Sequence, residues 1–150
     1  MRGLKFWIAL MTCSAALAGA GCSQQDLSKP PKVRYGRDIC SQCRMIIGEE
    51  RFACAAVSQE GNFFKFDDIG CLAIYEKNTS GNALRSWVQD AGGLGWMEKE
   101  KAYFIYSEDV ITPMGYGIAA FAEPERAAEF AREKAGRLLA WNDIKTEEVK

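Results

Sequence analysis

The segment Cys40-Ser41-Gln42-Cys43-Arg44-Met45 places two thiols and a thioether within six residues. A CxxC pair alone serves redox enzymes, zinc sites and disulfides alike. The methionine narrows the choice. In an extended segment, residues two apart point to one face, so the sulfurs of Cys43 and Met45 can converge on a single ion. Thiolate plus thioether is a soft pair, better suited to Cu(I) than to zinc or magnesium. The alternative is that Met45 packs in the core beside Ile46 and Ile47. A second thioether, Met114, sits in the loop Thr112-Pro113-Met114-Gly115, where a large apolar side chain is costly to leave in water. It either packs under the loop or binds the ion. Cys54 and Cys71 supply two more thiols. Asp67 and Asp68 precede an apolar helical stretch and read as N-capping residues rather than as ligands.

The rest of the composition removes other chemistries. The 150 residues include six cysteines and no histidine. Without histidine there is no Ser-His-Asp or Cys-His catalysis, and the imidazole sites used for zinc, Cu(II) and non-haem iron are missing. Any metal must therefore bind to sulfur, carboxylate or backbone oxygen. A formal charge of −1 and the lack of a basic stripe argue against nucleic acid as a partner. With 48% hydrophobic and 26% charged residues, the chain has the composition of a globular domain.

The first residues read as a targeting segment. Arg2 and Lys5 give a basic start, Phe6 to Ala18 form an apolar run too short to span a bilayer, and Gly19, Ala20 and Gly21 precede Cys22. This arrangement resembles a bacterial lipobox, although Gly19 stands where that motif usually has leucine. The expectation is a signal peptide over 1–21 and lipidation at Cys22, with simple secretion as the alternative. Multiple acyl chains would hold such a protein firmly on a membrane. Ser23 after the cysteine favours, by the same resemblance, the outer membrane, facing the periplasm. Residues 22–35, polar and with two adjacent prolines, read as a tether. Residues 36–143 form the domain, and 144–150 a charged tail.

Four cysteines stay with the domain: Cys40, Cys43, Cys54 and Cys71. An even number in an oxidising compartment is compatible with two disulfides or with a structural zinc site.

The elements that must position these sulfurs can be read coarsely. Phe52 to Val57 and Phe63 to Phe66 read as a hairpin around Ser58-Gln59-Glu60-Gly61-Asn62. Ile69 to Lys77 reads as a helix, broken at Asn78 to Asn82. Gly92, Gly93 and Gly95 suggest a loop. Ala102 to Tyr106 and Gly117 to Phe121 read as a second hairpin. A helix from about Glu125 to Leu139 follows, with Pro124 in its first turn and an inner face of Ala127, Ala128, Phe130, Ala131, Ala135 and Leu138. Trp87, Trp96, Tyr103, Phe104 and Tyr106 are expected in the core. The order hairpin then helix occurs twice. This predicts an α+β fold of two pseudo-repeated hairpin-plus-helix (ββαβ-like) units packed as one domain.

Several segments resemble the NosL family of copper-binding lipoproteins that accompany nitrous-oxide reductase. They are Cys40-x-x-Cys43-x-Met45, Phe66-Asp67-Asp68-Ile69-Gly70-Cys71, and Thr112-Pro113-Met114-Gly115 followed by Ala119-Ala120-Phe121. The similarity runs from about residue 36 to 135. It implies a non-enzymatic protein with a two-part α+β fold that binds Cu(I) through Cys43, Met45 and Met114, with Cys40 and Cys71 as further candidates. Cys71 also resembles a ligand of treble-clef metal modules. A variant of the family motif has glycine where Arg44 stands, so this chain carries a charge beside the site. The partners implied are nitrous-oxide reductase, its membrane ABC maturation system, and a membrane through the lipid anchor. Two other readings remain at this level: an extracytoplasmic thiol–disulfide oxidoreductase using Cys40 and Cys43, and a structural zinc or disulfide interaction module. The first fits poorly, because Cys40 neither follows a clear strand nor opens a clear helix.

Overall fold

The computed structural model describes residues 25–144. The leader, Cys13, the lipobox with Cys22 and residues 145–150 lie outside the described residues.

Each half of the chain builds the same small unit. In the first, β1 (Cys54–Ser58) pairs antiparallel with β2 (Phe63–Phe66) and with β3 (Ala83–Asp90), and α1 (Ile69–Asn78) joins β2 to β3. In the second, β5 (Tyr103–Tyr106) pairs antiparallel with β6 (Ile118–Phe121) and with β7 (Arg137–Leu139), and α2 (Pro124–Glu133) joins β6 to β7. The first sheet has order β2-β1-β3 with a fourth strand beyond β3, and the second has order β6-β5-β7. In both units the first strand lies between the other two, and the helix crosses from one side of it to the other. The ββαβ repeat expected from the sequence is therefore present as topology. The addition to the first sheet is β4 (Gly95–Glu98), which follows β3 through a turn holding Gly93 at φ 93°. The glycine-rich stretch taken for a loop is thus the tip of a hairpin.

The hairpin strands β1, β2, β5 and β6 form where expected, whereas β3 and β4 were not read as strands and β7 was read as the end of a helix. Every residue of β1 is buried, as a central strand of small and branched residues allows. α1 is buried through Ile69, Gly70, Cys71, Leu72 and Ala73, so it is a core helix. Its Glu76 is also buried, and accepts from the Ser86 hydroxyl at 2.7 Å, Lys99 at 2.7 Å and the Trp141 indole at 3.1 Å. One core spans both sheets, with Phe66, Ile69, Leu72 and Val88 packed with Phe104, Ile118, Ala120 and Leu139. The sheets are also joined along the backbone, where Ala91 N–H donates to Ala120 O at 2.8 Å and Ala122 N–H donates to Asp90 Oδ1 at 2.9 Å.

The second helix is shorter than its periodicity suggests. It ends at Glu133, Ala135 takes φ 46°, and a Cβ on Gly136 would lie 2.8 Å from the Tyr106 carbonyl. The close approach to β5 turns the chain into β7, where Leu139 pairs with Phe104 and is buried. Leu138 and Ala128, expected on the inner face, are exposed, whereas Ala127 is buried and Phe130 and Ala131 half-buried. Tyr103, expected in the core, is exposed at the start of β5. The stretch read as a tether is docked at its end: Pro31 is buried, Val33 and Tyr35 pack against the core, and the Lys32 carbonyl accepts from Lys65 Nζ at 2.7 Å.

Candidate metal centre

Cys40 and Cys43 sit on a tight turn rather than on an extended segment. Arg44 N–H donates to Cys40 O at 3.1 Å, Cys40 N–H donates to Met45 O at 2.8 Å, and Ile39 bridges Ile46 in antiparallel register. Arg44 closes the turn with φ 68°. That conformation suits glycine and costs other L-residues roughly 1–2 kcal/mol. The alternation that would put Cys43 and Met45 on one face fails across this left-handed residue. Cys43 is half-buried and Met45 is exposed. The turn is pinned to the domain at the edge of β2. Ser41 N–H donates to Lys65 O at 2.8 Å, and Lys65 N–H to Ser41 Oγ at 3.2 Å. Asp38 fixes its base, bound by Lys65 Nζ at 2.6 Å and by Arg34 Nη2 at 2.8 Å.

The start of α1 brings in the other donors. Asp68 is the N-cap, its Oδ1 accepting from Gly70 N–H at 2.9 Å. Asp67, just before it, is buried and accepts from the Cys43 thiol at 3.4 Å and 3.5 Å. Cys71 follows in the first turn. One ligand atom each from Cys40, Cys43, Asp67 and Cys71 lies within 4.8 Å of the others. All four described cysteines are free thiols. Cys54 stands apart in β1, buried, donating to Phe52 O at 3.3 Å.

The thiols of the group differ in acidity. The Cys71 thiol hydrogen-bonds to Cys40 and brings Cys40 down to about 6, against the pull of burial. Burial pushes Cys43 up to about 11, with Cys40 adding to the shift. Cys71, as hydrogen-bonding partner to Cys40 and itself desolvated, is raised. Among the three thiols, Cys40 is thus the one most disposed to ionise. Burial raises Cys54, and Asp68, Cys40, Asp67 and Glu76 add to the shift.

A loop from the second half closes over the start of α1. Met114 N–H donates to Asp68 Oδ2 at 3.0 Å, so one carboxylate caps the helix and holds the loop. Thr112 shapes the loop, its Oγ1 accepting from Tyr116 N–H at 3.1 Å and Gly117 N–H at 3.4 Å. The ring of Tyr116 lies on Gly70, where a Cβ would fall 2.0 Å from Tyr116 Cδ2. Burial raises the Tyr116 phenol, and Cys71, Asp68, Cys43 and Asp67 add to the shift.

The structure therefore gathers three of the candidate sulfurs, Cys40, Cys43 and Cys71, and adds Asp67. Met45 flanks the group on the exposed side of the turn, and the backbone of Met114 is tied to the residue next to Asp67. The aspartate pair divides its work: Asp68 caps, whereas Asp67 faces Cys43. The clue was the doublet itself, since one cap needs one carboxylate. Tyr116 had no signal of its own; its role appears only through its contact with Gly70.

Fold and site together define a small α+β domain with a cysteine-rich metal-ligating group between a tight turn and a helix N-terminus. The NosL family model matches residues 34–149, and the chain belongs to the NosL family. The structure is similar to that of the copper chaperone NosL from Shewanella denitrificans, with TM-score 0.66 and 18% identity, covering 78% of this chain and 98% of that chain. At this identity the likeness speaks to the fold. Among curated proteins none matches.

Proposed function

We propose that the protein is a copper chaperone that carries Cu(I) on sulfur and passes it to a recipient, with the copper centres of nitrous-oxide reductase as the destination and a membrane ABC system as partner. The observation that carries this reading is the convergence of Cys40, Cys43 and Cys71 with Asp67, their ligand atoms within 4.8 Å, under the loop that bears Met114. Membership of the NosL family supports it, as does the likeness to a protein described as a copper chaperone. The family is non-enzymatic, and the task is binding and release.

The residues supply that task as follows. Cu(I) is a soft ion and favours thiolate and thioether donors over carboxylate. Cys40, whose acidity the Cys71 thiol raises, binds most readily as a thiolate. Cys43 passes its proton to the neighbouring Asp67 carboxylate or to water as it binds, so affinity rises with pH. Cys40 and Cys71 are the buried thiols of the site, and the exposed Met45 and Met114 are its proposed thioether donors, which an incoming ligand displaces. A lipid at Cys22 would hold the chaperone on the periplasmic side of the outer membrane.

A second reading is favoured by one observation: the fourth converging donor is the hard oxygen of Asp67. Three thiolates and a carboxylate can close a tetrahedral zinc shell, which makes the group a structural site. Anaerobic competition against colorimetric chelators separates the two. The chaperone reading expects one Cu(I) per chain, lost in Cys43→Ser and weakened about tenfold, or about 1.4 kcal/mol, in the double variant Met45→Leu/Met114→Leu at unchanged thermal stability. Equal competition by wild type and the double variant contradicts the thioether ligands. The zinc reading expects zinc affinity to fall in Asp67→Asn and to ignore both methionines.

A further inference from the structure

The turn that carries Cys40 and Cys43 has an outer face that metal binding leaves unused. Ile39 is 57% exposed and Ile46 59% exposed, and they stand opposite each other in the antiparallel bridge, so their side chains share one face. Met45 is exposed between Ile46 and the donors. Cations flank this apolar tip on the Ile39 side and at Arg44, while Glu49 and Glu50 follow Ile46 along the chain. Arg44 and Arg37 are exposed, and a concavity of about 400 Å³ opens beside Ile39, lined by Arg34, Arg37, Lys65 and Asp38. Arg34 and Lys65 both bind Asp38, so that carboxylate is more than neutralised. The face is cationic on a chain whose formal charge is −1.

Ligand exchange dictates what must approach here. A recipient takes Cu(I) only by bringing a donor atom to the ion. Cys40 and Cys71 are fully buried, whereas Cys43 is partly open and lies on the turn. The open side of the group is therefore at Cys43, and Arg44, Met45 and Ile46 follow it along the turn, with Ile39 across the bridge from Ile46. We propose that this face docks the recipient, a protein that presents its soft donors on an apolar tip ringed by carboxylates. The inference rests on the copper-chaperone reading above and names the chemistry of its partner. Opposite charge raises encounter rates and selects the partner, while the apolar centre supplies the contact.

The test uses the full chain loaded with Cu(I) and two acceptor peptides of matched copper affinity. Each carries one Cys-x-x-Cys pair and a fluorophore quenched by copper, one flanked by glutamates and the other by lysines. The glutamate peptide is expected to take copper about tenfold faster at low ionic strength, with the advantage shrinking as salt is added. Arg37→Glu, which leaves every donor in place, should lose much of that advantage at unchanged copper affinity, and Arg37→Glu/Arg44→Glu should lose it all. Ile39→Ser/Ile46→Ser should slow both peptides. Equal rates for the two peptides at every salt concentration overturn the docking face while leaving the copper reading intact. Vesicles containing phosphatidylglycerol that block transfer to both peptides, where phosphatidylcholine vesicles do not, assign the face to a lipid surface and also overturn it. Failure of the wild type to bind Cu(I) brings down both.

Discussion

At the scale of residues, the site depends on a side chain that is not there. Gly70 has none, and the ring of Tyr116 fills the space. Gly70→Ala puts a methyl group into that ring, so Tyr116 and the loop around Met114 must move. Overpacking of this kind costs about 1–3 kcal/mol. We expect a lower unfolding midpoint together with weaker copper binding, measured by denaturant titration and chelator competition. Unchanged copper affinity in a folded Gly70→Ala protein would mean that the loop does not contribute to the site. Cys54 offers the matching control. It is buried but outside the donor group. Cys54→Ser should lose about 1–3 kcal/mol of stability, because it buries a hydroxyl in place of a thiol, and should retain the copper stoichiometry of the wild type.

At the scale of elements, Asp68 joins the two halves of the molecule. Its carboxylate accepts from Gly70 N–H, which starts α1, and from Met114 N–H, which lies in the other ββαβ unit. Removing an N-cap costs about 1 kcal/mol, and leaving the part-buried Met114 N–H without its partner adds to that. Asp68→Ala should therefore unfold earlier by more than a cap alone explains. Amide hydrogen exchange should show faster opening at residues 112–117 as well as at the start of α1. An effect confined to α1 would contradict the coupling.

The elements were largely legible in the sequence because their signals are local. Hairpins marked by Gly61, the cap at Asp68 and proline at the start of α2 act within a few residues. Departures came where distant contacts decide. The turn at Ala135 depends on Gly136 meeting the backbone of β5, so the last residues of the expected helix became β7. The site was legible in its residue types but less so in its geometry. An extended Cys43-Arg44-Met45 was a natural reading of CxM, and only the left-handed backbone at Arg44 overturns it. Cys71 and Asp67 join the turn through tertiary packing, which a single sequence does not display.

At the scale of the whole molecule, the turn is held by charge as well as by backbone. Lys65 is the main cause holding the Asp38 carboxyl well below its ordinary range, and Arg34 adds to it. A carboxylate depressed in the folded state stabilises the fold above its unfolded value of about 3.9, and that contribution is lost as pH falls further. Asp38→Asn should therefore be less stable than wild type at neutral pH, and should lose less stability between pH 5 and pH 2 by thermal unfolding. Parallel pH profiles for the two proteins would contradict this role.

The same architecture gathers donors able to hold a metal ion in a chain without histidine. Two repeated units pack through one core, and their loops and helix start meet at one end, where thiols from separate stretches of chain converge. The account stands or falls on which atoms touch the metal. Copper K-edge X-ray absorption on the anaerobically loaded chain reads this directly. A first shell of sulfur alone, losing scatterers in Cys43→Ser and again when Met45 and Met114 become leucine, is the predicted result. A shell containing oxygen or nitrogen, or one unchanged when Cys40, Cys43 and Cys71 are all replaced by serine, would contradict it.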